Sequence, residues 1–139
     1  MPTKERIVIW LEEVCRHFNM EVPNLEFTDK TRGQALRVRD VNGVRTTITL
    51  PNYLFNHTNA FSQYYVVHEC VHLAINNGKH DTTFKLKETE TLADLYHIGI
   101  KYTRSYPKYL YDKNNPKNIL WGTSDTSLGK GLCLIMKKH

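Results

Sequence analysis

Long apolar runs are missing from this sequence. Nowhere does it approach the roughly 18 consecutive apolar residues that a membrane span requires, so no membrane partner is expected. A leader-like start is missing too. Met1-Pro2-Thr3-Lys4-Glu5-Arg6 runs into an amphipathic pattern rather than a uniform apolar stretch, which argues against a signal peptide. Cysteine is scarce: Cys15, Cys70 and Cys133 make an odd count with no metal-type spacing, which excludes a disulfide framework and a zinc ribbon. Cys15 and Cys70 fall on apolar helical faces and read as core thiols, pointing to a reducing, cytoplasmic or otherwise intracellular setting. Internal repeats and a phosphate-binding glycine loop are also absent, which removes solenoids and P-loop nucleotide enzymes.

What remains is the composition of a globular chain. At 139 residues it fits one domain, with 40% apolar and 24% charged residues. The net charge of +5 is uneven. Residues 101–139 hold eight Lys or Arg against two Asp, a balance of +6, so the first hundred residues carry −1.

The chain is organised around Val67-His68-Glu69-Cys70-Val71-His72, an H-E-x-x-H pattern in a segment that reads as helix. At about 100° per residue, His68 and His72 lie about 40° apart on one helix face. Two imidazoles so placed can share one Zn²⁺. Glu69 stands beside them, where it can act on a water without displacing a ligand. Val66, Val67, Cys70, Leu73 and Ala74 cluster on the opposite side as a core stripe, while Tyr65 and Asn76 accompany the histidines. The competing reading is a buried helix with two satisfied histidines.

A catalytic zinc site takes a third protein ligand. Asn76-Asn77-Gly78 ends the helix, and His80 follows. A short return would bring His80 over the metal. Glu90, at the start of a second helical pattern, competes for the same place. Asp94, one turn on, suits a carboxylate that orients a histidine, and Glu88 is a weaker version of the same idea.

His68-Glu69-Cys70-Val71-His72 followed by Gly78-Lys79-His80-Asp81-Thr82-Thr83-Phe84 resembles the SprT-like zinc metallopeptidases. The upstream order is similar too: a helix at Lys4–Phe18, then strands at Leu25–Thr28, Gly33–Arg39 and Val44–Leu50. The resemblance covers roughly Arg6 to Ile100. It departs at Asp81, which stands where the family has glycine, and in a short loop between His72 and His80. Carried over, it implies His68, His72 and His80 as Zn²⁺ ligands, Glu69 as general base, and peptide-bond hydrolysis in a minimal zincin-like α+β domain. That domain has an N-terminal helix, a small mainly antiparallel sheet, the motif helix and a backing helix. With Glu90 as third ligand, the chain resembles gluzincins instead, including repressor-cleaving peptidases.

Elsewhere, Ile7, Leu11, Val14, Cys15 and Phe18 repeat with helical period, ending near Asn19. Asn42-Gly43 between alternating runs signals a hairpin. Arg37 and Arg39 share a strand face that reads as a solvated surface or as one for nucleic acid or an acidic partner. Pro51 stops the strand, Asn52–Phe61 holds a short helical piece, His57 reads as a surface residue, and Ser62 as a helix cap. Leu92, Leu95, Tyr96, Gly99 and Ile100 give a third helical stripe, with His97 off it. Beyond, tyrosines and Trp121 interleave with lysines in a segment punctuated by proline and glycine, so long regular structure is not expected before a short strand at Leu132–Met136. Basic residues with aromatics can hold single-stranded nucleic acid, which makes this segment a weak candidate for DNA association. In the blander reading the aromatics pack on the domain. A nucleic-acid-binding protein with a structural or vestigial zinc site is the rival to the enzyme. Tyr65 and the C-terminal tyrosines are candidates to stabilise an oxyanion.

Overall fold

The computed structural model describes residues 1–104 and 106–123. The first apolar stripe becomes α1 (Lys4–His17), with Ile7, Leu11, Val14 and Cys15 buried and Trp10 beside them. Thr3 caps it, its hydroxyl accepting the Arg6 N–H at 3.2 Å. The helix ends at Phe18, and the next residue, Asn19, turns the chain at φ 53°.

Three strands follow: β1 (Asn24–Thr28), β2 (Gln34–Asp40) and β3 (Gly43–Pro51). The Asn-Gly signal is realised as a two-residue turn in which Asp40 pairs with Gly43. Gly43 sits at φ 113°, and Asp40 Oδ1 accepts the Asn42 N–H at 2.8 Å. β3 is central, parallel to β1 and antiparallel to β2, so β2 is an edge strand. Leu25, Ile48 and Ala35 fall in register on the face turned to the helices, and Ile48 and Leu50 are fully buried. Pro51 is the last residue of β3, and a 3-10 turn at Asn52–Asn56 leads to the motif helix.

That helix, α2 (Asn59–Ala74), differs from expectation in three ways. Its cap is Thr58, whose hydroxyl accepts the Phe61 N–H at 3.2 Å. Ser62 lies inside the helix, buried, and donates its hydroxyl to Leu54 O at 3.3 Å. The helix is also not two-faced. It is buried on nearly every side, with α1, both sheets and the next helix around it, while Ala74 is exposed. His57, expected at the surface, is 7% exposed and packs between Phe61 and Tyr53, with ring centroids 4.9 and 5.3 Å away.

Helix α3 (Thr82–Tyr96) buries Phe84, Glu88, Thr91 and Leu92, a stripe at i, i+4, i+7 and i+8. It stops at His97, which is exposed and left-handed at φ 55°. Gly99 and Ile100 therefore belong to a strand rather than to the helix. β4 (Ile98–Thr103), β5 (Tyr106–Asp112) and β6 (Asn115–Gly122) form a second, antiparallel sheet where little regular structure was expected. The prolines sit where strands tolerate them: Pro116 on the outer strand β6 and Pro107 beside a bulge. Trp121 is 2% exposed and stacks on Phe61 at 4.7 Å, tying this sheet to α2. Lys101, Lys108, Lys113 and Lys117 are exposed.

The architecture is α+β, with an N-terminal helix and small, mainly antiparallel sheets. Among the described residues no helix is long and apolar enough to cross a membrane. Cys133 and the strand expected at Leu132–Met136 lie outside the described residues.

Candidate metal centre

The three histidines meet. His68 and His72 project from α2, and His80 comes from the turn before α3. Their ring centroids are 4.8–5.0 Å apart, a nearly equilateral triangle. One nitrogen from each ring falls within 4.8 Å of the others. His72 Nε2 and His80 Nε2 are 3.1 Å apart. Two nitrogens on a tetrahedral zinc at about 2.0–2.1 Å would lie about 3.3 Å apart. Phe84 is the common floor, 4.4 Å from the His72 ring, 4.9 Å from His68 and 5.0 Å from His80.

Each imidazole of α2 is held by its far nitrogen. Asn77 O lies 2.8 Å from His72 Nδ1; a carbonyl only accepts, so Nδ1 carries the proton and Nε2 presents its lone pair. The turn that does this also closes the helix. Asn76 is left-handed at φ 50°, and the Asn77 N–H donates back to His72 O at 3.2 Å. His68 Nδ1 lies 2.5 Å from Glu88 Oε2, so His68 likewise turns Nε2 toward the other rings. Glu88 is fully buried, and Tyr102 donates its hydroxyl to Glu88 Oε1 at 2.7 Å. Burial, then the Glu88 charge, holds the Tyr102 phenol far above its ordinary range, so it remains a donor.

His80 is placed by Asp81. The residue that departs from the family pattern is the cap of α3, accepting the Phe84 N–H at 3.0 Å and an Asn77 side-chain N–H at 3.1 Å. Those two bonds, the Phe84 amide first, hold its carboxyl below the usual carboxylate value. The two turns are thereby fastened to each other, which makes a short loop between His72 and His80 sufficient.

Glu90 does not join the group. It is exposed and lies 3.8 Å from Lys87. Asp94 is exposed as well, and Glu88, the weaker candidate on the sequence, is the carboxylate that meets a histidine. A signal for it existed: Glu88 lies four residues after Phe84 on the buried stripe, a polar residue at a core position.

Glu69 is 1% exposed yet borders a cleft of about 700 Å³ together with His72, His80 and Asn76. Gly33 and the first half of β2, through Arg37, also line it. Arg37 donates to Leu73 O at 3.0 Å, satisfying a carbonyl in the last turn of α2. Among the described residues no tyrosine borders this cleft. Tyr65 is 1% exposed, and its hydroxyl accepts the Gly33 N–H at 2.9 Å. Burial first, then Tyr53 and Glu69, pushes its phenol far above the ordinary value. The sequence marks Asn77 only as a turn residue, Phe84 only as a member of the resembled motif and Tyr102 only among the C-terminal tyrosines; their contacts in the centre are seen in the structure. No protein-family model, no curated protein and no solved structure matches the chain.

Proposed function

We propose that this chain is a zinc-dependent metallopeptidase acting on protein substrates. The observation that carries the reading is the convergence of His68, His72 and His80, the last two lining a cleft that also holds Glu69 and is bordered by an edge strand. Three imidazoles suit zinc and leave a fourth position open, as catalytic sites require, whereas structural zinc is closed by four protein ligands. Among the described residues the histidine group has no fourth His, Cys, Asp or Glu. The order of motifs shared with SprT-like peptidases supports the same reading.

When bound, the metal supplies Lewis acidity toward a water and the scissile carbonyl. Glu88 and Asn77 hold two imidazoles in the tautomer that ligates. Glu69, about 100° round the helix from His68, takes the proton of the attacking water and returns it to the leaving amine. Strand β2 receives the substrate. In a two-residue hairpin the Asp40–Gly43 pair exchanges backbone bonds, so Arg39, Arg37 and Ala35 turn theirs away from β3. An extended peptide adding to that edge is held by its backbone.

The test joins metal analysis to one substitution. Purified protein should hold about one zinc per chain, lost in the His68→Ala/His72→Ala variant. Glu69→Gln should stay folded and zinc-loaded while losing cleavage of an unfolded protein substrate. Equal cleavage by wild type and Glu69→Gln, or zinc retained without both histidines, overturns the proposal.

A further inference from the structure

The wall of the cleft is cationic in a part of the chain that is not. Residues 1–100 balance to −1, yet among the described residues Lys30, Arg32 and Arg37 all border the cleft, against Glu69 alone. A second groove of about 300 Å³ shares Arg37 and Leu73 with the first and continues to Arg39, with Glu21 as its one acid among the described residues. None of the four cations makes an ion pair among the described residues. Arg37 is anchored through Leu73 O, which spends one of the five donors of its guanidinium and fixes the rest at the cleft mouth.

The spacing selects a chemistry. Arg37 and Arg39 point to the same face of β2, about 6.6–6.8 Å apart along the strand. That is the repeat of alternate side chains in a peptide paired to the strand's free edge. A nucleic acid strand would need base-stacking surfaces, and among the described residues no Phe, Tyr or Trp borders either groove. We infer that the cleft selects extended peptide segments with carboxylates at alternate positions, read by Arg37 and Arg39 along β2 and by Lys30 and Arg32 at its entry. The inference rests on the peptidase reading for turnover but not for binding.

Three unstructured peptides of one sequence, with Glu, Gln or Lys at alternate positions, separate these levels. Zinc-loaded wild type should cleave the Glu peptide with kcat/KM about tenfold above the Gln peptide, the size that two part-exposed ion pairs reach, and the gain should fade with salt. Arg37→Glu/Arg39→Glu should move the preference to the Lys peptide. Should loss of the Arg37 cap unfold that variant, Lys30→Glu/Arg32→Glu on the exposed loop should do the same. Fluorescence anisotropy with Glu69→Gln reads binding without turnover. Selective binding of the Glu peptide with no cleavage by wild type would overturn the peptidase reading and leave the selectivity standing. Equal cleavage of all three peptides, or no charge-dependent binding, overturns the selectivity. A single-stranded oligonucleotide that displaces the Glu peptide and binds more tightly would overturn it in favour of nucleic acid.

Discussion

Glu88 Oε2 lies 2.5 Å from His68 Nδ1, with both side chains almost wholly removed from solvent. A carboxylate in that place fixes the tautomer and would raise the basicity of the nitrogen that faces the proposed metal. Glu88→Gln should therefore weaken zinc binding about 10–100-fold, measured by competition with a chelating dye. Tyr102→Phe, which removes only the hydroxyl on Glu88 Oε1, should have a smaller effect in the same direction. Unchanged affinity in Glu88→Gln would remove Glu88 from the centre.

His80→Ala and Glu90→Ala should part company. The first removes one of three converging nitrogens and should abolish tight zinc binding; the second removes an exposed carboxylate beside Lys87 and should leave it intact. Zinc content after dialysis reads the difference. Loss of zinc only in Glu90→Ala would restore the gluzincin alternative.

Gly33→Ala should destabilise the fold by about 1–3 kcal/mol. A Cβ there would lie 2.6 Å from Tyr65 Cε1 and 3.0 Å from Thr49 O, a buried ring and a backbone atom. Urea denaturation measures the cost, and in a Tyr65→Ala background the increment should shrink. An equal increment in both backgrounds would show that Tyr65 is not the obstacle.

Trp121→Ala should cost about 3–5 kcal/mol, because a buried indole stacked on Phe61 leaves a cavity between the second sheet and α2. Trp121→Phe should cost clearly less. It keeps a ring against Phe61 and removes an indole N–H that finds no hydrogen-bond partner among the described residues. Thermal unfolding of the two variants decides whether stacking or volume matters more.

Local signals carried the first half of the fold. The α1 stripe, the Asn42-Gly43 turn and the H-E-x-x-H spacing each act within a few residues, and the structure has them where they were expected. What failed depended on tertiary contacts. Leu92, Leu95, Tyr96, Gly99 and Ile100 keep helical period through a helix end that has no glycine: His97 takes the left-handed position itself. Gly99 then lies against the Tyr111 ring across β4 and β5, a contact no short window contains. In α2 the polar residues marked a solvent face by ordinary rules. His68 and Glu69 are buried instead, because α1, α3 and both sheets pack around α2. Ser62 and His57 misled for the same reason: each is polar, and each is covered by neighbours distant from it in pattern.

Asn77 grips His72 twice, by its amide on the His72 carbonyl and by its carbonyl on the imidazole. The helix terminus and the imidazole are thereby one closed ring of bonds, and for the proposed centre this has a kinetic side. The two bonds hold the His72 ring while the last turn is wound, so the residence time of an ion bound as proposed would be tied to how often that turn frays. The exchange of the Asn77 amide with solvent would then serve as a clock for release of the proposed ion, readable without substrate or turnover.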